Sequence, residues 1–357
     1  MKSFRCILVL AFALAASASL GRAQQPSPAP SPTASAPAPA KQIPDTNASP
    51  QPQTQQQPMP PIQVTTGLVH LVATVMDRRH NFVTDLGQSD FKIFEDGTQQ
   101  DIRFFGRQTD LPLRIGLLLD TSNSIRPRLE FEQDAAIDFL DSVIRRDKDM
   151  AFLMTFDNEP EVIQDYTGDL ALLTSAIRRQ RAGGGTALND AIYKAADKLS
   201  NPPLAEGPNP EVRRVLVVIS DGDDNLSDHP LSEAIEAAIR AEACIYAIST
   251  NTDWLSLSGE SPHKMHLERG DKILDQFADQ TGGRVFFPYR VDDLAQSFVD
   301  IGTELRSQYF LAYAPTNAAA GGAYRKISLE TDRKGLIVRT RKGYYASASG
   351  GAPPANK

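Results

Sequence analysis

From Leu113 onward the chain alternates between two hydrophobic rhythms. "LRIGLLLD" is a continuous apolar run, the pattern of a strand buried on both faces. "RPRLEFEQDAAIDFLDSVIRR" then sets Ala136, Phe139, Leu140 and Val143 on one helical face. The pair recurs. Strands are predicted at "DMAFLMTFD", "EVIQDY", "RRVLVVISD", "CIYAIST" and "RVFFP". Helices are predicted at "TALNDAIYKAADKLS", "LSEAIEAAIRAEA", "KILDQFADQTGG" and "DLAQSFVDIGTELRSQ", the third closed by Gly282-Gly283 at its C-cap. This alternation predicts an α/β, Rossmann-like fold over residues 111–308: a doubly wound, mainly parallel sheet with helices on both faces.

The flanks carry a different rhythm. Residues 63–110 alternate as a half-buried strand does in "GLVHLVATVMD", then place Asp96-Gly97 between two further alternating runs, a hairpin signal. Residues 309–347 return to β with "YFLAYAP", "YRKISLE" and "LIVRTRKGYYA". These two small β-rich segments form one sheet together or a small sheet each. The "RTRKGYY" run is read as strand alternation with Arg and Lys on the wet face, in preference to an anion patch.

The N-terminus belongs to neither pattern. Lys2 and Arg5 precede an apolar core from Ile7 to Ala16, and small residues lead to a cleavage point after Ala23. Residues 1–23 therefore read as a secretory signal peptide. Residues 24–62 hold twelve of the chain's 25 prolines among Ala, Ser and Gln, so a disordered linker is expected, as it is for the tail 348–357. The linker serves as a semi-rigid spacer or as a passive tail. No later stretch approaches eighteen apolar residues, and no transmembrane segment is expected. The implied destination is outside the cytoplasm: periplasmic, cell-surface or secreted.

Composition narrows the function. Hydrophobic residues make up 41% of the 357, enough for a core, and the formal net charge is -7. Without the leader, 34 basic residues face 44 acidic ones. That balance disfavours nucleic acid and anionic lipid and suits divalent cations. Cys244 is the single cysteine outside the leader, so no internal disulfide is expected, and its default role is a small buried hydrophobe.

Candidate chemistry clusters at strand ends. Asp120 ends one apolar run, with Ser122 and Ser124 following at a spacing of two in "DTSNS". Asp221 ends another in "VVISDGDDN", and "RAGGGTALND" delivers Thr186 just before a helix. Ligands of open parallel sheets bind where loops leave the carboxyl ends of strands. Five hard oxygen donors there match Mg²⁺ or Mn²⁺ rather than zinc. The bland alternative is helix capping by Asp and Ser. Asp223 and Asp224 read as solvated loop charges, and Gly183 to Gly185 as loop flexibility. His263 and His266 sit in a polar insertion, 251–270, with no third ligand in view.

"DTSNS", Thr186 and the Asp221 of "SDG" together resemble the metal-ion-dependent adhesion site of the von Willebrand factor A domain. The resemblance spans roughly residues 111–308, and the flanks resemble a bacterial group of exported proteins related to that family. It implies that Ser122, Ser124 and Thr186 coordinate the metal directly, while Asp120 and Asp221 act mostly through waters. It further implies a partner protein that supplies an Asp or Glu carboxylate. No catalytic residue is expected: "GxSxG" is missing and no histidine neighbours a nucleophile. The rival expectations are a structural envelope component with a structural metal and a metal-dependent hydrolase. Oligomeric state is not legible.

Overall fold

The structure is a computed structural model that describes residues 67–107, 111–205, 211–251, 269–288, 291–317 and 322–346. The leader, the linker, the tail, and His263 and His266 lie outside the described residues. Four strands come first: β1 (Val69–Met76), β2 (Phe91–Glu95), β3 (Thr98–Gln100) and β4 (Ile102–Arg107). The α/β part runs β5 (Leu113–Asp120), α1 (Leu129–Val143), β6 (Met150–Phe156), β7 (Pro160–Thr167), α2 (Leu170–Arg178), α3 (Leu188–Ser200), β8 (Arg213–Ser220), α4 (Leu231–Arg240), β9 (Cys244–Ser249), α5 (Arg269–Thr281), β10 (Val285–Phe286) and α6 (Val291–Leu305). β11 (Tyr309–Tyr313), β12 (Tyr324–Thr331), β13 (Ile337–Arg339) and β14 (Gly343–Tyr345) close the chain.

The central sheet has the order β10-β9-β8-β5-β6-β7, parallel except for β7, which pairs antiparallel at one edge. β5 lies between β8 and β6 and is buried along its whole length, as its unbroken apolar run requires. The strand period of two splits its side chains between two cores. Ile115, Leu117 and Leu119 join α1, α2 and α6 through Phe139, Ile177 and Phe298. Leu118 joins α3, α4 and α5 through Ile192, Ile239 and Phe277. The doubly wound expectation holds.

One helix was not anticipated. α2 begins at Asp169, whose Oδ1 accepts from the Ala171 N–H at 2.8 Å, and it buries Leu173, Ala176 and Ile177.

The two β-rich flanks interleave. β1 and β4 bracket β11 in the sheet β13-β1-β11-β4, while β2 and β12 pair in the sheet β14-β12-β2-β3. Both contribute to one hydrophobic cluster through Leu71, Ile93, Tyr309 and Leu329. The expected single strand "LIVRTRKGYYA" is two, β13 and β14, in different sheets. The wet-face reading of its basic residues is also overturned. Arg339 forms an ion pair with fully buried Glu304, and the Arg341 side chain is 10% exposed, leaving Lys342 toward solvent. Both arginines turn inward to acceptors, Arg339 to Glu304 and Arg341 to the His70 carbonyl, which outweighs exposure on the strand's wet face.

Glu304 of α6 joins the flanks to the central sheet. Its Oε1 accepts from Thr74 Oγ1 of β1 at 2.9 Å, from the Tyr246 hydroxyl of β9 at 2.8 Å, and from Arg339 of β13. Gln308 Nε2 donates to Thr74 Oγ1 at 2.7 Å. Every partner is held by a buried carboxylate that could not remain charged alone.

Candidate metal centre

Three loops meet at the carboxyl ends of β5 and β8. The first leaves β5 at Asp120 and turns through a short 3-10 segment, Asn123–Ile125, into α1. The second leaves β8 at Ser220 and Asp221, and the third brings Gly183 to Thr186 up to α3.

The buried Asp120 carboxylate holds the first two loops. Oδ1 accepts from the Ser122 N–H at 2.8 Å, and Oδ2 accepts from the Ser220 hydroxyl at 2.7 Å. Ser122 Oγ lies 2.9 Å from Ser124 Oγ, and Ser124 Oγ donates to Asp221 Oδ2 at 2.7 Å. Asp120, Ser122, Ser124 and Asp221 thus form one hydrogen-bonded series. Thr186 is buried and its backbone is fixed to the second loop. Its N–H donates to Asn225 Oδ1 at 3.0 Å, and its carbonyl accepts from the N–H groups of Asn225 and Leu226. Among the described residues its hydroxyl has no hydrogen-bond partner.

Two glycines of the third loop serve close approach in addition to the flexibility expected of them: a Cβ on Gly184 would meet the Asn158 side chain at 2.9 Å and one on Gly185 would meet Leu226 Cδ1 at 2.5 Å, whereas Gly183 has open space there. Gly183 donates to the Thr121 carbonyl at 2.7 Å and Gly184 accepts from Asn123 at 3.3 Å, with Gly184 at φ +78°. The second loop depends on a similar fit. Gly222, at φ +77°, lies where a Cβ would meet Gly270 O at 2.3 Å, and a Cβ on Gly270 would meet Asp221 O at 2.1 Å. Only a pair of glycines lets α5 begin against this turn.

Several supporting residues were missed in the sequence. Asn251 Nδ2 donates to the Asp221 carbonyl at 2.6 Å and to Asp271 Oδ1 at 3.0 Å, and Ser249 Oγ donates to that same oxygen at 2.6 Å. Asp224 is not a free loop charge: it accepts from Asn189 Nδ2 and from the Ser227 N–H, whereas Asp223 is exposed. Glu132 of α1 is fully buried, and among the described residues neither carboxylate oxygen has a hydrogen-bond partner. Its nearest cation is Arg128, with Nε 3.9 Å from Oε1. The spacing held this signal, because Glu132 precedes Ala136 by four residues on the buried face.

The electrostatics ask for a cation. Burial pushes the Asp120 carboxyl up to about 6, against the lowering effect of its Ser220 and Ser122 hydrogen bonds. Burial pushes Glu132 up to about 8, opposed by Arg128 and reinforced by the charges of Asp120 and Asp221. Among the described residues neither Asp120 nor Asp221 has an ion-pair partner. Nor do three His, Cys, Asp or Glu side chains gather to hold a metal by themselves, so an ion here must draw on hydroxyl oxygens. Ser122, Ser124 and Thr186 provide them beside two carboxylates, a donor set that fits a hard divalent cation.

Residues 115–223 match the family model for the von Willebrand factor type A domain. No curated protein matches the chain. Among solved structures, it is similar to a von Willebrand factor type A protein from Catenulispora acidiphila, with 13% identity, TM-score 0.45, and coverage of 79% of this chain and 74% of the other. It is also similar to an aerotolerance-related membrane protein from Bacteroides fragilis, with 18% identity, TM-score 0.41, and coverage of 54% and 98%. A third is proximal thread matrix protein 1 of the mussel byssus with a zinc-occupied MIDAS motif, with 20% identity, TM-score 0.43, and coverage of 59% and 50%. No helix among the described residues is long and apolar enough to cross a membrane.

Proposed function

We propose that this chain is an exported, non-enzymatic binding protein that grips an acidic side chain of a partner protein through a divalent ion, Mg²⁺ or Mn²⁺. Ser122, Ser124 and Thr186 would hold the ion directly, and Asp120 and Asp221 would hold its waters. When bound, the ion supplies a Lewis-acidic vertex for a carboxylate oxygen. The leader 1–23 would carry the chain out of the cytoplasm, and the linker 24–62 would space the binding unit, residues 111–308, from a surface.

The observation that carries this reading is the series from Asp120 through Ser122 and Ser124 to Asp221. Helix capping does not account for it, because no side-chain cap bond is made at Ser122 or at Arg128, the N-cap of α1. The chain's own residues do the positioning. Asp120 orients the Ser122 backbone, Ser220 fixes Asp120, and Asn251 anchors the Asp221 turn.

The test is calorimetric titration of the chain with Mg²⁺, alongside Ser124→Ala and Thr186→Ala, followed by capture of envelope proteins with Mg²⁺ and release with EDTA. Wild type should bind one ion and both variants should bind it at least about tenfold more weakly. No ion uptake by a folded wild type, or equal uptake by both variants, overturns the proposal.

A further inference from the structure

A cavity of about 330 Å³ lies far from the candidate metal centre, at the amino ends of β8 and β9, whose carboxyl ends face the other way. The flanking sheet closes it with Val72 and Phe310, and Gln308 and Cys244 also line it. Arg213, Arg214 and Arg341 all stand in its wall, and among the described residues that line it Glu211 and Glu242 are the acidic counterparts.

These arginines are incompletely satisfied. Arg213 is 5% exposed; its Nη1 donates to the Leu305 carbonyl at 2.7 Å, but Nε and Nη2 are buried without an acceptor. Arg341 gives Nη2 to the His70 carbonyl at 2.7 Å and to Glu242 Oε1 at 3.3 Å, leaving Nε without one. Arg214 meets Glu242 Oε2 at 3.5 Å, and its Nε is likewise unpartnered. One carboxylate is thus shared by two guanidiniums, while among the described residues four further nitrogens of these side chains, themselves enclosed by protein, find no oxygen. Buried donors in native proteins are nearly always paired, and guanidiniums are matched best by planar or tetrahedral oxyanions.

We infer that this cavity is a binding site for a small anion with a carboxylate or phosphoryl head and a short apolar body. The arginines take the head, and Val72 and Phe310 take the body. The volume lies at the lower end of small-molecule sites, which limits the ligand to metabolite size. The site is independent of any metal. Burial pushes the Cys244 thiol up to about 11, so Cys244 stands in the wall as a neutral thiol that alkylates slowly.

The experiment uses the whole chain with two probes at constant ionic strength: inorganic phosphate for the head alone, and hexanoate for a carboxylate with a body. Thermal unfolding is read with EDTA present, and slow iodoacetamide labelling of Cys244 is read by peptide mass. Either probe in excess should raise the midpoint by about 2–4 °C and slow Cys244 labelling severalfold. A larger effect from hexanoate identifies a carboxylate with an apolar body; a larger effect from phosphate identifies the phosphoryl head. Arg341→Met should abolish both effects. Arg213→Met should do the same, but Arg213 also holds the end of α6, so Arg341→Met decides if that protein does not fold. No shift and no protection from either probe, or equal effects in wild type and Arg341→Met, overturns the inference.

Discussion

Ser124 Oγ donates to Asp221 Oδ2 at 2.7 Å across 97 residues of sequence, and this bond fixes the proton positions of its neighbours. A serine hydroxyl has one hydrogen. Since Ser124 gives its hydrogen to the carboxylate, Ser122 must be the donor in the 2.9 Å contact between the two hydroxyls. Ser124 therefore keeps a lone pair free while still bonded to Asp221. Coordination through that lone pair need not break the bond that joins the two loops.

Asp120→Asn should separate folding from ion binding. The amide oxygen can still accept from the Ser122 N–H, and the Ser220 hydroxyl can turn to accept from the new NH₂. The variant should unfold within a few degrees of wild type yet lose Mg²⁺ affinity by about 10- to 100-fold. Thermal denaturation with and without Mg²⁺ reads both. A variant stabilised by Mg²⁺ as much as wild type would remove Asp120 from the site.

The pH profile of the metal-free protein follows from two raised carboxyls. Folding favours the protonated forms of Asp120 and Glu132, so their contribution is fully present below the ordinary carboxylate range. It is lost as pH rises through about 6 for Asp120 and through about 8 for Glu132. Stability should therefore fall from about pH 4 to about pH 8. Glu132→Gln should flatten the upper half of that fall and be the more stable protein at pH 9, by on the order of 2–4 kcal/mol. Urea denaturation across this range measures it. A Glu132→Gln protein weaker than wild type at pH 9 would mean that the carboxylate is stabilised in a way the unpartnered oxygens do not reveal.

Much of this was legible in the sequence, and the misses have definite physical causes. The buried runs of β5 and β8 announce a parallel sheet because burial on both faces removes polar alternation. The five oxygen donors stand at loop positions that topology alone brings to one rim. Glu132 is hard to single out because a glutamate within a helix is ordinarily solvated, although its spacing from Ala136 and Phe139 puts it inside. Arg339 and Arg341 depart from the wet-face expectation because strand alternation identifies two faces without naming the buried acceptors, Glu304 and the His70 carbonyl, that draw a long side chain inward. Pairing of the flanks depends on contacts such as Leu71 with Leu311, 240 residues apart, which no local pattern encodes.

The turn after β8 should tolerate no side chain. Gly270→Ala places a Cβ 2.1 Å from the Asp221 carbonyl oxygen, a backbone atom that cannot swing aside as a side chain would, so either α5 or the Asp221 turn must move. The expected cost is about 2 kcal/mol or more, with a larger proportional loss of Mg²⁺ binding than of stability. Chemical denaturation and titration on the same preparation test this. Unchanged ion affinity would show that the turn does not set the position of Asp221.

Glu304 should govern whether the flanks and the central sheet unfold together. Its carboxylate is shared by Thr74 of β1, Tyr246 of β9 and Arg339 of β13. Removing one partner of a buried ion pair strands the other, which typically costs about 3–5 kcal/mol. Glu304→Gln keeps the shape and an acceptor for Thr74 and Tyr246 but leaves Arg339 without a counter-charge. Arg339→Met leaves the charge of Glu304 to three neutral donors, the hydroxyls of Thr74 and Tyr246 and, at 3.4 Å, Gln308 Nε2. Each variant should be destabilised by about 3 kcal/mol, and the double variant by at least about 1 kcal/mol less than their sum. The wild type should show a single unfolding transition by fluorescence and by circular dichroism, whereas Glu304→Gln should separate the two signals. Additive single and double costs, with coincident transitions in every variant, would show that the flanks are held to the sheet by the apolar contacts alone.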